Sequence, residues 1–598
     1  MSDEADSARG AGRLLSRLAL GLVALLLAAQ VALFVWMSPR GFDISDESYY
    51  FQQYLHWRDL SATATFFGAV FELPFRLMDQ SIAGIRVAGL LLLLVSSGFL
   101  ARASLRRVGN GTDVAKEYQS PVFVLAAMAG AMLYYSYLST LRAPSYNLLA
   151  LTAAMAATGV LLLLTDGVGS PSSPRSRWAL ALVYGSLLAL TALGKPTSGA
   201  LLTLVHAIFV LTLGVRWLRQ QLGPLVLLAT LGAGSVFGLL QLIHPSWISV
   251  VRESLLIGSV TDGRSLVLLA RGLAWELQRL PLVFWGFAAS VIGLALLLSR
   301  QAKPARAAAP MMAVSLVMVC VMLINVDRQT ALWLPLVALA TLALFGLARA
   351  DRRGGWSILL MLLAVPLALS FGTNMQMLRH SQINAAFAWT ALVAALHALY
   401  CAGRVGTWTL SICLVVLTLP GLVLQVQAAL LASHTYRLHT ALSMQNVPVV
   451  LGPASTRLLV DAETAMSVNT ISAAARAAGW QPGLDMLDFT GDGPGWVFSL
   501  GGRPLGVPWL LGGYHGSDAA AALLIGRLPE AALRRSWLLS SDTTARRIEG
   551  WSQSLANRIG ADSHELVATV RVRAPYFWPE RQTMERVDLQ LWRPKALP

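Results

Sequence analysis

Along most of this chain, apolar runs of about 17–25 residues recur between short polar loops, the length an α-helix needs to cross the ~30 Å hydrocarbon core of a bilayer. Lipid offers no partner to unpaired backbone groups, so such runs are expected as helices. They fall at roughly 14–37, 83–101, 120–138, 146–165, 178–194, 197–215, 222–243, 281–299, 310–326, 331–349, 356–372, 383–402 and 407–431. The expected fold is therefore a polytopic α-helical membrane protein with about thirteen transmembrane helices. Only 13% of the 598 residues are charged and 56% are hydrophobic, which disfavours both a soluble multidomain enzyme and a disordered chain.

The net charge of +15 does not read as a nucleic-acid surface. Its basic residues sit in short clusters between the apolar runs, where they act as topology signals, so no nucleic-acid partner is expected. With the N-terminus in the cytoplasm, the inner loops hold Arg9, Arg13 and Arg17, then Arg102, Arg106, Arg107 and Lys116, and later Arg300, Lys303 and Arg306. The short outer loops carry single cations: Arg142, Lys195, Arg328 and Arg379. An odd number of spans then puts the C-terminal segment outside, and the expected location is a bacterial inner membrane with that segment in the periplasm. The first run reaches about Met37, too long for a signal-peptide core, and is expected as an uncleaved span. Cys320, Cys401 and Cys413 lie in or beside apolar runs and none follows, so the outer segment must fold without disulfides.

Two outer loops are long. One covers roughly 38–82, and the other, at 244–280, holds an amphipathic stretch, WISVVRESLLIG, suited to lying at the interface. Residues 1–431 form the expected membrane domain. From 432 to 598, charge and glycine content rise and runs of spanning length end, which predicts a small mixed α/β soluble domain. Ile471, Ala474, Ala475 and Ala478 follow a helical period, whereas Leu566, Ala568, Val570 and Val572, and later Val587, Leu589 and Leu591, alternate as strands do. The Gly- and Pro-rich stretch from Asp488 to Ser517 predicts turns and short strands. Within it Asp488, Asp492, Trp496 and Tyr514 are candidates to line a glycan surface, although glycine turns that merely shape the domain are the simpler account. Trp36, Trp57, Trp178 and Trp247 lie near span ends, where tryptophan anchors at the interface.

The residues that could carry chemistry open the first outer loop, GFDISDESYYFQQYLHWRDL. Asp43, Asp46 and Glu47 lie just past the end of a span and are followed by Tyr49 and Tyr50. Carboxylates clustered at a membrane surface can accept a proton from an attacking hydroxyl, bind a divalent cation, or simply be solvated. For a metal, Asp43 and Asp46 are the candidate ligands. Gly194-Lys195 is no phosphate-binding loop of the Walker type, because Ala rather than Gly occupies position 189 and Pro196 follows the lysine.

An Asp-Glu pair followed by tyrosines, directly after the first span, resembles the opening of membrane glycosyltransferases of the GT-C fold, among them protein O-mannosyltransferases and lipid A aminoarabinose transferases. Ile85-Arg86-Val87-Ala88-Gly89 at the start of the second span and Gly194-Lys195-Pro196 between the fifth and sixth are similar to the same superfamily. The resemblance implies a GT-C-like membrane domain and an inverting transfer of a hexose or pentose from a polyprenyl-phosphate-linked donor, and the sequence leaves the use of a divalent metal open. It implies that Asp46 is the catalytic base, with Glu47 beside it, and that the acceptor is a glycan, a lipid or a protein. A departing lipid phosphate needs positive charge, for which Lys195, Arg379, Arg142 and Arg328 are the candidates, with Tyr50 as a further substrate contact. The WWDYG element of oligosaccharyltransferases is absent, so en bloc transfer to asparagine is not expected. A transporter or flippase, or a polymerase or ligase of lipid-linked glycans, are the alternatives.

Overall fold

The computed structural model describes residues 2–108, 120–137, 142–165, 174–260, 266–278, 337–338, 340–342, 344, 353–372, 377–402, 405–431, 437–574 and 586–595. Within them seven helices are long and apolar enough to span a membrane: Leu14–Met37, Ile82–Val108, Tyr146–Leu164, Arg175–Gly194, Trp217–Ile243, Ser381–Cys401 and Thr407–Leu430. Shorter apolar helices run Pro121–Tyr135, Pro196–Leu211 and Gly355–Ser370. The chain is a multi-pass helical membrane protein with a C-terminal sheet region. The spans expected at 281–299 and 310–326, and most of 331–349, lie outside the described residues.

The helices sort by what surrounds them. Ser381–Cys401 is buried almost along its whole length, and Trp389 within it is fully enclosed. Trp389 can sit there because Gly130 faces it; a Cβ at that glycine would fall 1.9 Å from the indole. By contrast Leu227, Leu231, Leu239 and Leu242 of the helix Val215–Ile243 are exposed, as befits a helix whose apolar side meets lipid.

Beyond the last span the chain forms a hairpin of β1 (Val447–Leu451) and β2 (Thr456–Val460), then the helix Ala462–Ala477. That helix starts at Asp461, whose Oδ1 accepts from Thr464 N at 3.0 Å. A five-stranded sheet follows, of β3 (Asp485–Asp488), β4 (Arg503–Pro504), β5 (Trp537–Ser540), β6 (His564–Arg573) and β7 (Arg586–Pro594), in the order β4-β3-β5-β7-β6. β3 pairs in parallel with β4 and β5, while β7 runs antiparallel to β5 and β6. The alternating segments at 566–572 and 587–591 fall in β6 and β7, and Val570, Val572, Val587, Leu589 and Leu591 point into the core.

The first outer loop and the C-terminal segment share that core. Phe51 packs against Phe498 with ring centroids 5.2 Å apart, and Phe42 lies 6.1 Å from the same ring. Backbone hydrogen bonds add a staple: Gly41 N donates to Leu459 O at 2.7 Å and Leu459 N to Pro39 O at 2.8 Å, so β2 grips the chain as it leaves the first span.

One expectation gains a contact and another changes. The amphipathic helix Trp247–Val260 docks on the C-terminal segment: Glu253 pairs with Arg527, and Ile257 packs against the cluster around Leu524 and Ile525. Trp57 is interior rather than an interfacial anchor, 1% exposed, with Nε1 donating to Glu72 at 2.7 Å. An indole whose N–H has a buried carboxylate partner gains nothing from the headgroup region.

Candidate active site

The helix Asp46–His56 starts within a few residues of the first span's end, and Asp43 sets its beginning. Oδ1 of Asp43 accepts from Ser45 N at 3.0 Å and from Ser45 Oγ at 2.6 Å, while Oδ2 accepts from Glu47 N at 3.0 Å. A carboxylate at this place satisfies amides that have no helical partner and lies at the positive end of the helix dipole. Burial pushes Asp43 up to about 6, with Arg437 opposing and Asp46 adding to the shift. Its oxygens face N–H and O–H donors that a cation would have to displace. Among the described residues no group of three or more His, Cys, Asp or Glu side chains converges as a metal site. The Asp43 and Asp46 arrangement therefore fits helix capping better than a ligand set.

Glu47 turns the other way, into the protein. It is fully buried and pairs with Arg86, also fully buried, with Nη2 to Oε2 at 2.5 Å and Nε to Oε1 at 2.8 Å. Ala143 N donates to the same Oε1 at 3.0 Å. Arg86 continues to Ser38 O at 2.5 Å and Gly41 O at 2.9 Å. Arg142 donates to Met37 O at 2.7 Å and also to Arg40 O. Two arginines thus gather the carbonyls of the turn where the chain leaves the first span, and Glu47 balances part of their charge.

Asp46 points outward, its side chain 26% exposed, and its Oδ2 meets Arg437 Nη1 at 2.8 Å. The same guanidinium nitrogen donates to Ser45 Oγ. Arg437 has φ +56°, a backbone conformation that non-glycine residues adopt at a cost and keep where the surroundings impose it. It also lines a small cleft with Asp43, Ser45, His439, Trp496 and Arg573.

The glycine-rich stretch forms the other wall. Gly495 N donates to Ile44 O at 2.7 Å. A Cβ at Gly495 would lie 2.4 Å from Ile44 Cα, and one at Gly493 (φ +156°) 2.6 Å from Ile44 O. These glycines let the C-terminal segment press its backbone onto the residues just before Asp46. Gly491 and Gly512 make room in the same way for the backbone of Arg546. The Arg546 guanidinium lies 5.3 Å from the Tyr514 ring centroid and within electrostatic reach of Tyr514, Arg437, Asp492 and Asp46. Burial raises Asp492 to about 8, with Arg546 opposing and Asp488 adding, and burial raises Asp488 to about 7 against its bonds from Thr490.

The other residues singled out from sequence lie elsewhere or in other roles. Lys195 is 5% exposed, and its Nζ donates to Leu369 O at 2.8 Å with His380 Nε2 at 3.5 Å. Arg142 is spent on the end of the first span. Arg328 lies outside the described residues, as does the side chain of Arg379, whose backbone belongs to the short helix Met377–His380. Tyr50 is 3% exposed and sits edge-on to Phe67 at 5.7 Å and Tyr146 at 6.1 Å, inside an aromatic cluster beneath Asp46. Of the four proposed glycan contacts, Asp492 and Trp496 are buried, Asp488 is half-buried, and Tyr514 is exposed. Sequence reasoning missed Arg437 and Arg546. The first lies in a stretch that reads as a linker and the second beside an ordinary surface arginine, and no local pattern marks either.

No family model matches the chain, and no curated protein matches it. Among solved structures, 96% of the chain aligns with the oligosaccharyltransferase of Archaeoglobus fulgidus in its apo form, at 11% identity, a TM-score of 0.46 and 76% coverage of that chain. The same share aligns with ArnT from Cupriavidus metallidurans bound to undecaprenyl phosphate, at 12% identity, a TM-score of 0.37 and 98% coverage of that chain.

Proposed function

We propose that the chain is an integral membrane glycosyltransferase of GT-C type, moving a sugar from a polyprenyl-phosphate-linked donor to an acceptor on the outer face by inverting displacement, with Asp46 as general base. The supporting observation is the contrast among three neighbouring carboxylates. Asp43 caps a helix, Glu47 is locked to Arg86, and Asp46 alone keeps solvent access, at the first turn of an outer helix with a cation beside it. A base must reach the proton it removes, which the buried pair cannot do. Glu47 then acts as a positioning residue, holding the helix that presents Asp46.

Membranes containing the full chain, supplied with a radiolabelled polyprenyl-phosphate-linked pentose or hexose and a cell-envelope fraction as acceptor source, should release polyprenyl phosphate and move label out of the donor. Asp46→Asn should lower that release by about a hundredfold or more, with insertion unchanged. Full release by Asp46→Asn would remove Asp46 from this role. Label that crosses the bilayer on intact donor would mark a transporter instead.

A further inference from the structure

The displacement moves charge in a way that the surroundings of Asp46 can be tested against. The acceptor hydroxyl gives its proton to an Asp46 oxygen, and the electron pair freed on the acceptor oxygen forms the bond to the anomeric carbon. The bond from that carbon to the phosphate oxygen breaks, and its pair leaves with the phosphate. A phosphodiester with a single negative charge becomes a monoester carrying a second, while Asp46 changes from carboxylate to neutral acid. Net charge is conserved, and one unit of it travels from Asp46 to the phosphate.

A cation serving this step has to lie where it can answer both charges. Lys195 and Arg142 are committed to backbone carbonyls, Leu369 O for the lysine and Met37 O and Arg40 O for the arginine. Arg437 meets Asp46 directly, and Arg546, whose Nε donates to Gly512 O at 2.9 Å and whose guanidinium lies 5.3 Å from the Tyr514 ring centroid, is close enough for its charge to act on both Arg437 and Asp46. Both come from the chain beyond the last span, and Gly491 and Gly512 make room for the backbone of Arg546. A second observation concerns the cleft that Arg437 lines. Trp496, fully buried in the wall of the cleft that Arg437 lines, has an indole N–H with no acceptor among the described residues. A buried donor without an acceptor is rare, and a water or ligand oxygen in the cleft is one way to satisfy it.

Resting on the reading of Asp46 as base, we propose that Arg437 and Arg546 form the cradle for the departing lipid phosphate, and that Arg437 passes its ion pair from Asp46 to that phosphate as the proton arrives. The guanidinium fork suits the exchange, because its planar donors can hold a carboxylate oxygen and a phosphate oxygen in turn. The C-terminal segment then supplies the electrophilic half of the active site and the first outer loop supplies the base.

The test uses the full chain purified into nanodiscs, titrated with undecaprenyl phosphate and separately with undecaprenol, which has the same tail and no phosphate. Arg546→Ala and Arg437→Gln should each weaken undecaprenyl phosphate binding by about tenfold or more while leaving undecaprenol binding as it is. Displacement of undecaprenyl phosphate by inorganic phosphate, lost in Arg546→Ala, would also support the cradle and show that the phosphate group is what is read. If Arg437→Gln does not fold, the half-buried Arg546 carries the test. Variants that bind undecaprenyl phosphate as the unmodified chain does would overturn the cradle and leave the Asp46 reading, judged by label release, in place. An unmodified chain that binds undecaprenol as tightly as undecaprenyl phosphate would overturn the cradle and the proposed donor together.

Discussion

Oδ2 of Asp46 and Nη1 of Arg437 are 2.8 Å apart, although one opens the first outer helix and the other follows the last membrane span. The contact joins the two ends of the fold at the carboxylate with the best claim to chemistry. Under the charge handover, Arg437→Lys keeps the cation but loses the fork, whereas Arg437→Gln loses both. The initial rate of polyprenyl phosphate release should therefore fall in the order unmodified chain, Arg437→Lys, Arg437→Gln. The last step should reach about a hundredfold, as for loss of a pre-placed electrostatic stabiliser. Equal rates for the two variants would mean that the charge of Arg437 does not enter the transition state.

The pair formed by Glu47 and Arg86 is of the opposite kind, with both side chains fully buried. Removing one partner of such a pair leaves an uncompensated buried charge and costs about 3–5 kcal/mol. Glu47→Leu or Arg86→Met alone should lower the thermal midpoint of the detergent-solubilised protein, followed by size-exclusion fluorescence, by far more than Asp46→Asn does. The double variant should recover part of the loss, since no lone charge remains. A double variant as unstable as the sum of the singles would show that the pair's worth lies in its backbone contacts.

How far the sequence discloses this site depends on the range of the forces. The span at 146–165 is readable because burial in lipid needs an unbroken apolar run, and the helix found is Tyr146–Leu164. The span read as 83–101 continues to Val108 because Arg102, Arg106 and Arg107 can stay helical past the apolar core with their charges in water. Strands β6 and β7 are readable from alternation. Asp46 is readable as a candidate because it follows a span at once. Its partner is not, because the contact with Arg437 is a tertiary one between the first outer loop and the chain after the last span, and nothing in either segment's local pattern encodes the other. Glu47 and Asp46 look equivalent as neighbours in sequence. Adjacent helical positions point about 100° apart, which sends one inward and leaves the other at the surface.

The glycine approach gives a third prediction. Gly495→Ala would place a methyl 2.4 Å from Ile44 Cα, so the backbone before Asp46 has to move. Transfer should drop steeply, because displacements of about 1 Å at a catalytic centre cost roughly a hundredfold. Gly526→Ala is the control: it lies in the helix Ser517–Arg527 with nothing within 4 Å of the added methyl. That change should leave transfer as it is and raise the thermal midpoint slightly, since alanine favours helix by roughly 0.5–1 kcal/mol. Equal activity in the two variants would mean that the segment 491–495 does not set the position of Asp46.

Asp492 links the site to pH. Burial holds it at about 8 in the folded chain, with Arg546 opposing and Asp488 adding, against about 3.9 for an unfolded aspartate. Between those values the folded chain keeps a proton that the unfolded chain gives up. The stability associated with the neutral acid is therefore fully present below about pH 4 and is lost as pH rises through about 8. Asn cannot ionise, so the midpoint of Asp492→Asn relative to the unmodified protein should rise from pH 5 to about pH 8 and level off above it, and a difference that stays flat or falls over that range would contradict the neutral acid. The same proton bears on the cradle. While Asp492 is neutral it cannot compete for Arg546, and once ionised it can. Binding of undecaprenyl phosphate should thus weaken above about pH 8 in the unmodified chain and weaken less in Asp492→Asn. Identical pH profiles for the two would separate Asp492 from the arginine and leave Arg437 as the cation that answers the phosphate.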